Sequence, residues 1–195
     1  MQAGIKVLPE SGEDRAIAVP TAAGYLVAVA DGAGGTGNGG VAAQRLVKGL
    51  ADLADTAASE DWFTVLLKLD EEILERRRGG QTTGVVAFVG RGRVVGASVG
   101  DSSAWLVSPT GEITELTAHQ RRRPLIGTGE ALPVVFEEAL LGRHLLLATD
   151  GLTKYATPEK IADLVVHGSV EEIVNCVRLP SGDLQDDVTV VIVAE

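Results

Sequence analysis

Between residues 82 and 149 the chain places short apolar segments one after another, with no amphipathic helix between any two of them. The segments are 82–89, 93–99, 104–108, 112–117, 134–138 and 144–149, rich in Val, Ile, Leu and Thr. Gly90-Arg91-Gly92 and Pro109-Thr110-Gly111 read as turns between them. This succession excludes a doubly wound parallel sheet, which needs a crossover helix between neighbouring strands. Residues 15–20 and 25–30 flank Thr21-Ala22-Ala23-Gly24 as a further hairpin. Val41, Leu46, Val47, Leu50 and Leu53 recur at helical spacing. Ser59 is placed to cap a second helix with the stripe Trp62, Leu66, Leu69 and Ile73; Arg76-Arg77-Arg78 and Gly79-Gly80 read as its stop. Thr157 and Pro158 open a helix to Val166, and Ser169 with Glu172 forms a capping box for another to Val177. Residues 188–194 are a last strand. The order predicts an α+β fold: a four-layer α-β-β-α sandwich of two mainly antiparallel sheets flanked by helix pairs, one domain over 1–195.

Charge narrows the function. The 195 residues carry 27 acidic against 17 basic side chains, a net charge of −10. A nucleic-acid or anionic-membrane surface needs a basic face, so neither partner is expected. The apolar runs are far shorter than the roughly 20 residues that span a bilayer. The start, MQAGIKVLPESGEDR, lacks the apolar core of a secretory signal. The single cysteine, Cys176, permits no internal disulfide, which suits a reducing, cytoplasmic compartment. No heptad repeat is present, and a monomer is expected.

The chemistry lies in where certain acids sit. Asp31 follows YLVAVA and precedes Gly32. Asp101 follows VVGASVG. Asp150 follows HLLLAT and precedes Gly151, and Asp186 and Asp187 precede VTVVIVA. An aspartate beside a glycine is ordinarily a turn residue. Four acids at strand ends are a different matter, because they can converge on one edge of a sandwich. Converging carboxylates repel unless a cation or proton is shared among them. Oxygen donors without a Cys/His cluster favour Mg²⁺ or Mn²⁺ over zinc. The stretch GAGGTGNGG is not a phosphate-binding P-loop, since no Gly-Lys-Ser/Thr follows its glycines.

These motifs resemble the metal-dependent serine/threonine protein phosphatases of type 2C, the PPM family. VADGAGGTGNGG is similar to the family's aspartate-glycine motif, and QTTGVVAFV to its G-S-T-x strand. VGDSSAWLV resembles G-D-S-R, with Ser103 where arginine is usual. LLLATDGLTKY resembles L-x-S-D-G-L, QDDVTVVIV the closing D-N-x-T-x-x-x-V, and GEDR part of the early N-E-D segment. All occur in the family's order. The resemblance implies hydrolysis of phosphoserine and phosphothreonine in proteins by a metal-activated water, without a covalent phosphoenzyme, and a substrate opposed by a serine/threonine kinase. Two ions are implied. Asp31 would bridge them, the Gly32 carbonyl would hold one, Asp150 and Asp186 would complete the other, and Glu13, beside Asp14, would act through a water. Asp101 matches an aspartate associated with a third ion in bacterial members. The glycines at 34, 35, 37, 39 and 40 would let backbone approach the ions.

The chain departs from the family in several places. Pro9 stands where members often carry an arginine that grips the substrate phosphate. Arg15 or the run Arg121-Arg122-Arg123 is the candidate replacement, although such a run reads first as a solvated charge cluster. Ala33 stands where some members have a histidine general acid. His119 reads as a turn residue, His144 and His167 as structural, and Cys176 as core. The flap subdomain of bacterial members is reduced to RRRPLIGTGEAL, which implies an open site. A phosphatase-like binding or sensor module with little turnover is the alternative reading.

Overall fold

The computed structural model describes residues 1–8, 11–76 and 79–194. Two five-stranded sheets face each other. One has the order β1 (Gln2–Leu8), β10 (Val188–Ala194), β9 (His144–Ala148), β6 (Ser103–Val107), β7 (Ile113–Glu115). The other has the order β2 (Arg15–Thr21), β3 (Gly24–Ala30), β4 (Gly84–Gly90), β5 (Arg93–Val99), β8 (Val134–Ala139). Every strand pairing is antiparallel. Helices α1 (Gly39–Ala51) and α2 (Trp62–Leu74) cover the second sheet; α4 (Pro158–His167) and α5 (Val170–Asn175) cover the first. The expected α-β-β-α sandwich is the observed one.

Strand parity explains why four layers form. Val27 and Val29 of β3, Val85, Ala87 and Val89 of β4, Leu145 and Leu147 of β9, and Val191 and Val193 of β10 pack between the sheets. Their alternate neighbours Leu26, Ala28, Val86 and Phe88 meet Leu46, Leu50, Trp62 and Leu66 of the helices. Leu146, Val188 and Val190 meet Ile161, Val165 and Ile173 on the opposite side. Strands buried on both faces must be apolar at every position, which is why these segments read as continuous runs. The β4–β5 turn has Arg91 at φ 54° and Gly92 at φ 74°, the two left-handed residues that a tight primed hairpin turn requires.

Several elements differ from the sequence expectation. Val41 is exposed, and the buried face of α1 is Ala42, Ala43, Leu46, Val47 and Leu50; Leu53 lies beyond the helix end. Asp61, not Ser59, caps α2, its carboxylate accepting the Phe63 N–H at 3.2 Å, because Ser59 is used in a short 3-10 turn. Arg77 and Arg78 of the proposed helix stop lie outside the described residues. Thr157 caps α4 and the Ser169/Glu172 capping box forms as expected, but α5 ends at Asn175. Strand β1 was not expected, since QAGIKVL lacks a clean alternation, yet it pairs along its whole length with β10. A single helical turn, α3 (Asp150–Thr153), also follows β9.

Candidate metal centre

Strand order places the acids. Strand β3 delivers Asp31 and Gly32, and β5 delivers Asp101 through Gly100. In the facing sheet β9 leads to Asp150, the first residue of α3, and Asp186 precedes β10. Because β9 and β10 are antiparallel neighbours, the end of one adjoins the start of the other. Glu13 enters from the loop between β1 and β2. Glu13, Asp31, Gly32, Asp101, Asp150 and Asp186 all line one open cleft of about 390 Å³.

Two of the glycines permit a close crossing of backbones. A Cβ on Gly32 would lie 2.3 Å from the Gly39 carbonyl carbon, and one on Gly39 would lie 2.5 Å from the Ala33 nitrogen. Two backbones therefore cross here, so that α1 begins directly against the Asp31–Gly32 turn. Gly35 and Gly37 face open space instead. A third contact fixes Asp150: a Cβ on Gly151 would lie 1.9 Å from the Asp187 carbonyl oxygen.

Burial and mutual repulsion dominate the electrostatics. Burial raises the Asp31 carboxyl to about 8, with the charges of Asp14, Asp150, Asp186 and Asp101 adding to it. Burial likewise raises Asp14 to about 7, with the Thr149 hydrogen bond and the nearby Thr189 hydroxyl working against it and Asp187 and Asp186 adding to it. Asp150 is raised by burial, although Lys154 works the other way. Asp14 is 2% exposed; its Oδ2 accepts the Thr149 hydroxyl at 2.7 Å, while its Oδ1 is buried without a hydrogen-bond partner. Asp150 Oδ1 is in the same condition. Buried carboxylate oxygens with nothing to bond, in an all-oxygen donor set, fit a hard divalent cation. As placed, the side chains do not close around a point: among the described residues no three His, Cys, Asp or Glu groups are gathered as an ion site. One cation in the cluster is Lys154, whose Nζ lies 2.5 Å from Asp150 Oδ2 and 3.9 Å from Asp186 Oδ2.

A pH dependence follows. An acid whose folded pKa exceeds its ordinary value near 4 is penalised as pH rises through the interval between the two. In chelator, the protein should therefore lose about 3 kcal/mol between pH 6 and 8, on the order of 5–10 °C in melting temperature. Thermal melts in chelator across that range check it; a flat or rising profile would contradict the raised carboxyls.

Three residues that hold the site escaped the sequence reading. Lys154 is one. Asp187 is another: the sequence could not separate it from Asp186, but Asp187 is 4% exposed. Its Oδ1 accepts the N–H groups of Ser11 (2.7 Å) and Gly12 (3.1 Å), and its Oδ2 those of Glu13 (2.7 Å) and Asp14 (3.2 Å). It thus fixes the loop that carries Glu13 and Asp14. Thr83 is the third. Its hydroxyl accepts the Asp31 N–H at 3.0 Å and meets the Ser102 hydroxyl at 2.7 Å, tying β4 to the Asp31 turn.

The arginine candidates separate. Arg15 does not line the cleft; it braces the loop that carries Glu13, donating to the carbonyls of Gly12 (2.8 Å) and Asp14 (2.6 Å). Arg122 and Arg123 line the cleft, so the run is not simply a solvated cluster; Arg122 Nε donates to Asp101 Oδ2 at 2.6 Å. Pro9 lies outside the described residues. His119 and His167 are exposed, His144 and Cys176 are half-buried, and none of them lines the cleft.

The sequence matches no protein-family model and no curated protein. The fold, in contrast, matches solved structures over nearly the full length of both chains. A point mutant of a bacterial serine phosphatase superposes with a TM-score of 0.86 at 24% identity, covering 100% of this chain and 98% of that one. The serine/threonine phosphatase Stp1 from Staphylococcus aureus gives 0.82 at 22%, covering 100% and 94%. The catalytic domain of the serine/threonine protein phosphatase PstP, in complex with two manganese ions, gives 0.79 at 23%, covering 98% and 96%. The sandwich of this chain is the fold of these phosphatases.

Proposed function

We propose that this protein is a Mg²⁺- or Mn²⁺-dependent phosphatase acting on phosphoserine and phosphothreonine in proteins. The observation that carries the reading is the convergence of six residues from five separate stretches of the sequence on one cleft, with one buried, unpartnered carboxylate oxygen, Asp150 Oδ1, among the donors. The shared fold and the two manganese ions of the PstP catalytic domain support it. Asp31, the Gly32 carbonyl, Asp150 and Asp186 would hold a dinuclear centre, Glu13 would act through a water, and Asp101 would serve a third ion. When bound, such ions lower the pKa of a water and neutralise charge on a phosphoryl group.

The chain's own residues do the rest. Thr83 and the Gly32–Gly39 crossing hold Asp31 in place. Asp187 holds the Glu13–Asp14 loop. Arg122 and Arg123 supply positive charge on the wall where a phosphate group would sit. Lys154 is a resident cation that would compete with a metal ion for the Asp150 carboxylate. Lys154→Met should therefore bind Mn²⁺ about tenfold more tightly, a gain of about 1.4 kcal/mol by calorimetry; unchanged or weaker binding would remove Lys154 from this role. A phosphoprotein opposed by a serine/threonine kinase is the substrate class, and a cytoplasmic monomer the physical form. No helix is long and apolar enough to cross a membrane among the described residues.

Hydrolysis of an aryl phosphate tests the metal dependence. The expected result is turnover only with Mn²⁺ or Mg²⁺. Undiminished activity in excess chelator would reject it.

A further inference from the structure

The short segment that replaces a flap is held from below by a carboxylate outside the cleft. Asp70, on α2, is 2% exposed. Its Oδ1 accepts the N–H groups of Gly127 (2.5 Å), Thr128 (2.9 Å) and Gly129 (3.0 Å), and its Oδ2 that of Ala131 (2.9 Å). Hydrogen bonds to a buried charge are the strong kind, and four on one side chain leave the segment little freedom. A second anchor stands one residue earlier. Ile126 exchanges both backbone hydrogen bonds with Thr82 at 3.0 Å, and the Thr82 hydroxyl donates to the Asp31 carbonyl at 2.9 Å. The segment is thus fixed to α2 and to the Asp31 turn at once.

Just before these anchored residues the chain presents charge. Arg121, Arg122 and Arg123 are all exposed, and the latter two form part of the cleft wall. Arg122 is paired with Asp101; neither Arg121 nor Arg123 makes an ion pair among the described residues. In a protein of net charge −10 this is a local inversion of sign at the mouth of an acidic cleft.

We propose that the Asp70-pinned segment is a preformed basic rim that selects phosphopeptides carrying acidic side chains beside the phosphorylated residue. The proposal rests on the phosphatase reading above. A peptide whose phosphoryl group enters the cleft must cross the rim on one side. Carboxylates there meet guanidinium groups, whose planar fork suits them. The protein's overall negative field opposes such a peptide, but it is screened over about 8 Å at physiological ionic strength, so contact pairing at the rim decides. Pinning by Asp70 matters because the loop's ordering is completed before the peptide arrives. Asp70 is a positioning residue: it touches no substrate and acts through the arginines.

The test compares two labelled phosphoserine peptides, identical except for Asp or Asn flanks, by fluorescence anisotropy in Mn²⁺ and by phosphate release. The ratio between the peptides is read within each variant. Wild type should favour the acidic peptide about tenfold in binding, less at high salt. Arg121→Glu with Arg123→Glu should abolish or invert that ratio. Asp70→Ala should shrink it toward one, and Asp70→Asn, which keeps an acceptor, should restore much of it. Should Asp70→Ala fail to fold, the arginine pair still decides. Equal binding of the two peptides by wild type, or a ratio indifferent to the arginine reversal, overturns the rim. Acidic preference in binding without phosphate release supports the rim and removes the phosphatase reading instead.

Discussion

Asp31→Asn should be more heat-stable than the wild-type protein in chelator at pH 8, and inactive in metal. The two halves of that expectation share one cause. Asp31 sits among four other carboxylates in a partly dry site, and burial with repulsion lifts it to about 8. Asparagine has nearly the same shape without the charge. At pH 8 it spares the metal-free protein a repulsion worth about 1–2 kcal/mol, a few degrees in melting temperature. In metal the balance reverses, because the same charge offsets the dications. The substitution should erase most of the Mn²⁺-induced rise in melting temperature, which is binding linkage. It should lower kcat/KM for an aryl phosphate by at least about 10³-fold, a barrier increase of about 4 kcal/mol. Paired melts with chelator and with Mn²⁺, beside the assay, check both halves. A mutant that is less stable without metal, or that keeps the full thermal shift, would remove Asp31 from the centre.

Asp187→Ala is expected to have the opposite signature, a large loss of stability in metal and in chelator alike. Two effects compete. Removing the Asp187 charge relieves repulsion that raises Asp14. It also strips acceptors from four backbone N–H groups and the Ser11 hydroxyl, which Asp187 Oδ2 accepts at 3.1 Å. Hydrogen bonds to a charged group are worth roughly 1.5–3 kcal/mol each, though those at the exposed end of the loop are replaced by water. The bonds outweigh a single screened repulsion, and a net loss of about 3 kcal/mol follows, on the order of 10 °C. Since the released loop carries Glu13 and Asp14, activity should fall with it. Asp187→Asn, able to accept on one oxygen only, should lie between. Denaturant unfolding measures the cost; an Asp187→Ala protein as stable as wild type would show that the loop is held by other contacts.

These two aspartates mark the limit of what the sequence discloses. Asp31, Asp101, Asp150 and Asp186 are legible because a turn acid at the end of an apolar strand has a fixed address once strands are recognised. The layered fold was legible for a related reason: strands buried on both faces are apolar throughout, and no crossover helices separate them. Asp187 was not separable from Asp186, because neighbouring residues look alike until a loop distant in sequence folds onto one of them. Asp70 lies inside an amphipathic stripe, where an acid normally points to solvent; only the return of 127–131 buries it. Lys154, at the end of α3, acquires its meaning from Asp186 as well as from Asp150 four residues before it. Strand β1 was missed because its edge position tolerates QAGIKVL, whose pattern is too weak to announce a strand. Local periodicity reads the scaffold and the acids; long-range backbone contacts assign the residues that hold them.

Phosphoserine-peptide turnover, followed as phosphate release during a manganese titration whose binding is recorded in parallel by calorimetry, tests the central claim most directly. Release should be absent in chelator and rise with occupancy of the acidic cleft to saturation. Manganese that binds with no release from a broad panel of phosphopeptides would contradict it and make the cleft a binding or sensor site.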